Sequence, residues 1–162
     1  IGLHPQALQT PYSSIYEALD RVGIEQVEHV VDFGAAYGRV GIVLSVINPK
    51  ARFTGFEIVK QRQLEGNRIF EKLNLENSYI EEQNILSSDF LIPDADVYFI
   101  YDFSREDDIC QVLFDLSLKE RKKIYLIVRG DRCERLMKKK FKNYWNRFSE
   151  VDSGELKIYT KK

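Results

Sequence analysis

The sequence predicts an α/β three-layer sandwich: a sheet of about seven mostly parallel strands between two helical layers, closed by a C-terminal antiparallel hairpin. Three observations carry this expectation. Strand-length apolar runs alternate with helix-length periodic segments along most of the chain. The strongest runs, "HVVDF", "DVYFIYDF" and "KIYLIV", are nearly continuous in apolar residues, as strands of a parallel sheet are when both faces are covered. The tail "YWNRFSEVDSGELKIYT" holds two strand-like runs around Asp152, Ser153 and Gly154, a tight-turn signal that makes them antiparallel neighbours.

Taken in order, "SSIYEALDRVG" places Ile15, Leu19 and Val22 on one helical face, with a capping box from Ser14 to Glu17 and Gly23 as the stop. "HVVDF" is then a buried strand. "RVGIVLSVI" is a mostly apolar helix ended by Asn48 and Pro49, and "RFTGFE" is a second strand. A helix from about Lys60 to Leu73 leads to the third strand, "SYIEEQ", and "DVYFIYDF" is the fourth. Ser104 and Asp107 cap a helix that runs through Leu118. "KIYLIV" gives the fifth strand, and Asp131 with Glu134 caps a helix towards Lys140.

A chain of 162 residues has room for one well-buried core and not for two ordinary domains, so residues 1–162 read as a single domain. Hydrophobic residues at 44% and charged residues at 30% are ordinary for a globular protein in water, and no apolar run approaches the roughly 20 residues that cross a bilayer. Cys110 and Cys133 form no CxxC pair and have no histidine close in sequence, which argues against a zinc site or a disulfide framework. A reducing, cytoplasmic setting is the expectation. The chain starts at Ile1 without an initiator methionine or a basic and apolar leader, and reads as a trimmed piece with N-terminal sequence missing. The net charge of -1 hides an uneven distribution, acidic from Glu76 to Asp115 and basic in "KERKKIYLIVRGDRCERLMKKKFKNYWNRF". His4 and His29 are isolated, and no Ser-His-Asp or Cys-His arrangement suggests a hydrolase.

The chemistry concentrates in "VVDFGAAYGRVGIVLS", Val30 to Ser45. A strand ending in Asp32-Phe33-Gly34, a turn of small residues and a helix starting near Gly38 place backbone N–H groups around one cavity. Glycine suits such a turn because it accepts positive φ and lets a ligand approach the backbone; Ala36 does neither as well. The dinucleotide pattern GxGxxG would need glycine where Ala36 and Arg39 stand, so NAD is the weaker choice. An acid followed by G-x-G-x-G fits Asp32, Gly34, Ala36 and Gly38 with one departure. An acid about 20 residues on, at the tip of the next strand, can accept ribose hydroxyls, and Glu57 stands there.

On these residues the sequence resembles the class I S-adenosylmethionine (SAM) dependent methyltransferases, over nearly its whole length. "DFGAAYGR" resembles their first motif, "GFEIV" their acidic ribose loop, "EEQNILSSDF" their adenine segment and "YFIYDFS" the end of their fourth strand. The resemblance implies SAM as cofactor, a last strand inserted antiparallel, and a cleft at the carboxyl ends of the first, second and fourth strands. It implies that Asp32 and the backbone of Gly34 and Gly38 hold the methionine part, with Ala36 and Tyr37 in the same loop. Glu57 would take the ribose hydroxyls, and Asn84 and Ile85 would flank adenine, with Asp89 as a second source of a carboxylate. "TPYSSIYEAL" resembles the cover segment of protein-lysine methyltransferases with this fold, which makes residues 1–23 a cover and Tyr12 a group that closes over SAM.

Methyl transfer from a sulfonium is an in-line displacement that asks for proximity, alignment and an unprotonated nucleophile. The fourth strand ends in Tyr101-Asp102-Phe103-Ser104, without the Asn/Asp-Pro-Pro-Tyr motif of amino methylation on nucleobases. Asp102 is a candidate to orient an amine and equally a helix cap; Phe103 is a candidate wall of the acceptor channel. Glu106, Asp107 and Asp108 would give the mouth a negative potential that draws a cationic acceptor. A protein amine (lysine) is the leading acceptor and a small molecule the next. A competing class is an RNA-binding or RNA-modifying protein that uses "RCERLMKKKFKNYW" with Phe141, Tyr144 and Trp145; the same segment also reads as a solvated helix with an apolar seam at Cys133, Leu136, Met137 and Phe141. A third reading, kept open by Ala36, is a SAM-binding protein without catalysis.

Overall fold

The computed structural model describes residues 9–120, 123–150 and 156–161. Helix α1 (Tyr12–Arg21) and a short 3-10 helix (Ile24–Gln26) lead into β1 (His29–Phe33). Alternation follows through α2 (Arg39–Ile47), β2 (Arg52–Glu57), α3 (Lys60–Lys72), β3 (Ser78–Glu82), β4 (Val97–Tyr101), α4 (Glu106–Ser117), β5 (Tyr125–Arg129) and α5 (Asp131–Lys139). The chain closes with β6 (Trp145–Glu150) and β7 (Leu156–Lys161). The seven strands form one sheet in the order β3-β2-β1-β4-β5-β7-β6. Pairing is parallel from β3 to β5, and β7 runs antiparallel to both β5 and β6. The expected α/β sandwich with a reversed last strand is the architecture found.

Side chains alternate across the sheet with period two and feed two cores. Val30, Phe53, Phe99, Ile127 and Ile158 pack with Ile15 and Leu19 of α1, Val40 and Leu44 of α2, and Phe70 of α3. Val31, Phe33, Tyr98, Ile100 and Val128 pack with Ile109 and Leu113 of α4 and with Leu136 and Met137 of α5. The chain builds outward from β1 through β2 to β3, then returns to the other side of β1 with β4. That reversal opens a crevice beyond the carboxyl ends of β1 and β4.

Helix starts differ from the expectation. α1 begins at Tyr12 behind Pro11, so Ser14 is a buried residue inside the helix and the Ser14–Glu17 capping box does not form. Gly23, at φ +73°, ends the segment as expected. α4 begins at Glu106 behind Arg105, and Ser104 donates its hydroxyl to Asp108 instead of receiving a backbone N–H. The expected turn at Asp152, Ser153 and Gly154 lies outside the described residues.

Beneath the crevice, Tyr98 is fully buried with both sides of its hydroxyl satisfied: it accepts the Ala95 N–H and donates to the Pro93 carbonyl, each at 2.8 Å. Its ring stacks on Phe33 at a centroid distance of 6.1 Å, and Phe33 stacks in turn on Phe56. Tyr98→Phe strands a buried N–H and a half-buried carbonyl while leaving the rings in place. The expected cost is about 1–3 kcal/mol of stability, read by urea unfolding.

Candidate active site

A cleft of about 670 Å³ lies at the carboxyl ends of β1, β2 and β4, within the range of small-molecule sites. Its wall includes Asp32, Gly34, Ala36, Tyr37, Glu57, Asn84, Ile85, Asp102 and Phe103, all singled out from the sequence. It also includes Thr10, Arg39, Arg62 and Tyr101, which were not. Tyr12, Gly38 and Asp89 stand outside the wall.

The loop after β1 is tied to β2 through its own amides. The N–H groups of Gly34 and Ala35 both donate to the Phe56 carbonyl at 2.9 Å, and the Ala36 N–H donates to Glu57 Oε2 at 2.9 Å. Glu57 Oε1 accepts the Val59 N–H at 2.9 Å, so one buried carboxylate holds the loops after β1 and β2 together. The Gly34 amide, expected to bind ligand, is thus spent inside the protein, as is that of Gly38, which donates to the Ala35 carbonyl. Their contribution is conformational. Gly38 has φ +77° and backs onto Phe70, where a Cβ would run into the ring. Ala36 takes φ +48°, the left-handed region, at a cost of roughly 1 kcal/mol, so the departure from glycine keeps the loop shape.

Asp32 is 2% exposed, and its Oδ1 has no hydrogen-bond partner among the described residues. Burial, and then the nearby negative charge of Glu57, pushes its carboxyl up to about 8, so Asp32 is neutral at pH 7. Tyr101, beside it, hydrogen-bonds Thr10, and burial raises its phenol well above the usual range. Thr10 is held twice more: Arg129 donates to its hydroxyl and Arg39 to its carbonyl, both at 3.1 Å. The Arg39 guanidinium also lies 4.8 Å over the Tyr12 ring. The helical turn that buries Ile15 and Leu19 leaves Tyr12 46% exposed, which is why Tyr12 stacks on Arg39 instead of closing over the cleft.

Asp102 borders the cleft, and its carboxylate is engaged by another helix. Oδ2 accepts the Arg132 N–H at 3.1 Å and Oδ1 the Cys133 N–H at 3.0 Å, so Asp102 caps α5 from the end of β4. The Cys133 thiol also hydrogen-bonds this carboxylate; burial first, and then Asp102, raises it far above the thiol range. Gly130, at φ +108°, leaves the space that Asp102 fills, since a Cβ there would meet the carboxylate. Arg132 returns the tie by donating to the Ser104 carbonyl. The amine-orienting role expected of Asp102 therefore competes with a cap already made. Phe103 packs half-buried on the α4 and α5 side. Asn84 Oδ1 accepts the Leu86 N–H at 3.0 Å, a local turn, and Asp89 is exposed away from the cleft and supplies no carboxylate to it.

Two of the three acidic residues of the expected mouth have cationic partners. Glu106 pairs with Arg135 at 2.9 Å, which lowers its carboxyl, and Asp108 bonds Ser104 and approaches Arg105 at 3.5 Å. None of Glu106, Asp107 and Asp108 lines the cleft. In the basic segment the seam at Cys133, Leu136, Met137 and Phe141 is buried, as is Trp145, leaving Tyr144 as its exposed aromatic. That removes most of the stacking surface an RNA reading needs. His29 is a buried residue bonded to the Asp94 carbonyl and the Thr54 hydroxyl; His4 lies outside the described residues. Among the described residues no group of side chains could hold a metal ion, and no helix is long and apolar enough to cross a membrane.

Solved structures share this architecture. The chain aligns with an RNA methyltransferase from Salinibacter ruber in complex with S-adenosyl-L-homocysteine at TM-score 0.73 and 15% identity, over 95% of this chain and 92% of that one. The mitomycin 7-O-methyltransferase MmcR aligns at TM-score 0.70 and 14% identity, over 93% of this chain and 53% of that one. Coclaurine N-methyltransferase, bound to N-methylheliamine and S-adenosyl-L-homocysteine, aligns at 0.63 and 14%, over 73% and 35%. No protein-family model and no curated protein matches the sequence. At these identities the likeness is one of fold, and the fold is that of the class I SAM-dependent methyltransferases.

Two outcomes follow from the geometry. Asp102→Ala uncaps α5, with an expected loss of about 0.5–2 kcal/mol and faster hydrogen exchange at the Arg132 and Cys133 amides. For Asp32, the folded chain retains between about pH 4 and pH 8 a proton that the unfolded chain has released, so its contribution to stability falls as pH rises through that window. Asp32→Asn removes this slope, and the melting temperature of the variant should gain on the unsubstituted chain as pH rises from about 5 to about 8.

Proposed function

We propose that the chain is a SAM-dependent methyltransferase whose residues chiefly supply proximity and alignment. The observation that carries this reading is the buried carboxyl of Asp32, its Oδ1 without a partner among the described residues, beside the Glu57-locked loop in a cleft at the β1–β4 reversal. Asp32 takes the ammonium of the methionine arm. Glu57 takes the ribose hydroxyls on the lone pairs that the Ala36 and Val59 amides leave unused, and Asn84 and Ile85 border adenine. When bound, SAM supplies an electrophilic methyl group that an acceptor displaces in line.

Thr10, Tyr101, Phe103 and Ser104 wall the far part of the cleft. Among the described residues there, the Tyr101 phenol is held on Thr10, the Thr10 hydroxyl receives Arg129, and Asp102 caps α5 with one N–H on each carboxylate oxygen. In-line displacement needs the acceptor in its unprotonated, nucleophilic form, and a neutral amine meets that need. A small-molecule amine is favoured over a protein lysine, because Glu106 and Asp108 are paired with Arg135 and Arg105 and none of Glu106, Asp107 and Asp108 lines the cleft.

Calorimetry with SAM, S-adenosylhomocysteine and NAD tests the cofactor, and a preference for NAD would overturn the reading. Glu57→Ala should weaken SAM binding about 10- to 100-fold, through loss of charge-assisted hydrogen bonds worth roughly 1.5–3 kcal/mol.

A further inference from the structure

Resting on the cofactor reading above, we propose that the methyl acceptor carries a carboxylate besides its nucleophile, and that Arg39 is the residue that holds it. The charged side chains on the cleft wall are Asp32, Arg39, Glu57, Arg62 and Asp102. Glu57 accepts the amides of Ala36 and Val59, and Asp102 those of Arg132 and Cys133, so each carboxylate is stabilised from inside the protein. Asp32 is buried and neutral at pH 7. Neither arginine has a carboxylate partner among the described residues. The unmatched charge on the wall is therefore positive.

Of the two cations, Arg39 is the one held in a fixed pose. Its Nη1 donates to the Thr10 carbonyl at 3.1 Å, and its guanidinium lies 4.8 Å over the Tyr12 ring. A carbonyl and a ring face orient the group without neutralising it, and its other side-chain N–H groups have no acceptor among the described residues. Arg62, in the first turn of α3, is exposed and has no such ties. Arg39 also stands apart from the buried floor: Asp32 Oδ1 lacks a partner although Arg39 lines the same cleft, so the guanidinium is beyond hydrogen-bond reach of that oxygen. Its anchor is Thr10, which walls the far part of the cleft with Tyr101, Phe103 and Ser104. A planar guanidinium meets the two oxygens of a carboxylate as a fork, a match that a neutral amide does not make. An amine that carries a carboxylate is thus gripped at one end, and the other end is left to meet the methyl group.

The test is calorimetry on the full chain saturated with S-adenosylhomocysteine, at constant ionic strength, with matched probes: acetate against acetamide, and benzoate against benzamide. Each pair differs in charge and hardly in shape. At least one carboxylate should bind about tenfold or more tightly than its amide, and Arg39→Gln should remove that difference while keeping S-adenosylhomocysteine affinity within about threefold. The matched probes need no substitution, so they decide the matter even where Arg39→Gln disturbs the loop. Equal binding of acid and amide, or binding of neither, would overturn the proposal and leave the cofactor reading standing. A preference that survives Arg39→Gln overturns it as well, because another cation then holds the anion. If Arg39→Gln loses S-adenosylhomocysteine as steeply as it loses the carboxylate, the guanidinium serves the cofactor and the proposal fails. Failure of the unsubstituted chain to bind S-adenosylhomocysteine would instead remove the cofactor reading, and the proposal with it.

Discussion

The geometry of the cleft depends on where three consecutive amides go. Parallel pairing sets Phe33 beside Phe56, and from that register the N–H groups of Gly34, Ala35 and Ala36 fall within reach of the Phe56 carbonyl and the Glu57 carboxylate. Satisfying buried backbone donors is close to obligatory, and β2 does so here without help from a ligand. The loop is consequently built before anything binds. The same economy leaves Asp32 Oδ1, one strand position before Phe33, without a donor among the described residues, and that buried carboxyl is the chemically distinctive group of the site.

The opposite rim is held by the same kind of long-range polar tie. Asp102 reaches from β4 to the first turn of α5, Arg132 reaches back to Ser104, and Gly130 withholds the side chain that would block the approach. Arg39 and Arg129 converge on Thr10 from two different elements. Apolar packing places the helices on the sheet, and these few polar ties then set the positions of the residues around the crevice.

Much of this was legible in the sequence, and what escaped it has a common cause. "HVVDF", "RVGIVLSVI" and "RFTGFE" coincide with β1, α2 and β2, because each carries its periodicity and its stop signal locally. Asp32 and Glu57 could be placed in the cleft because strand tips are local features too. The partner of Asp102 could not be read, since it lies 31 residues away at Cys133 and is brought near by the pairing of Tyr101 with Arg129. The pairing of Glu106 with Arg135 across α4 and α5 was hidden in the same way, and so an acidic run looked like a mouth. Ser14 was misread for a different reason: Pro11, with its fixed φ, starts α1 early and turns a capping signal into an interior residue. Thr10, Arg39 and Tyr101 stand inside the quoted segments "TPYSSIYEAL", "DFGAAYGR" and "YFIYDFS", but their convergence depends on bonds between distant elements that no local pattern shows.

The bond between Arg129 and Thr10 spans 119 residues. A contact between residues so far apart in sequence can form only once the chain as far as β5 has been made, so this edge of the crevice is completed by one of the later strands.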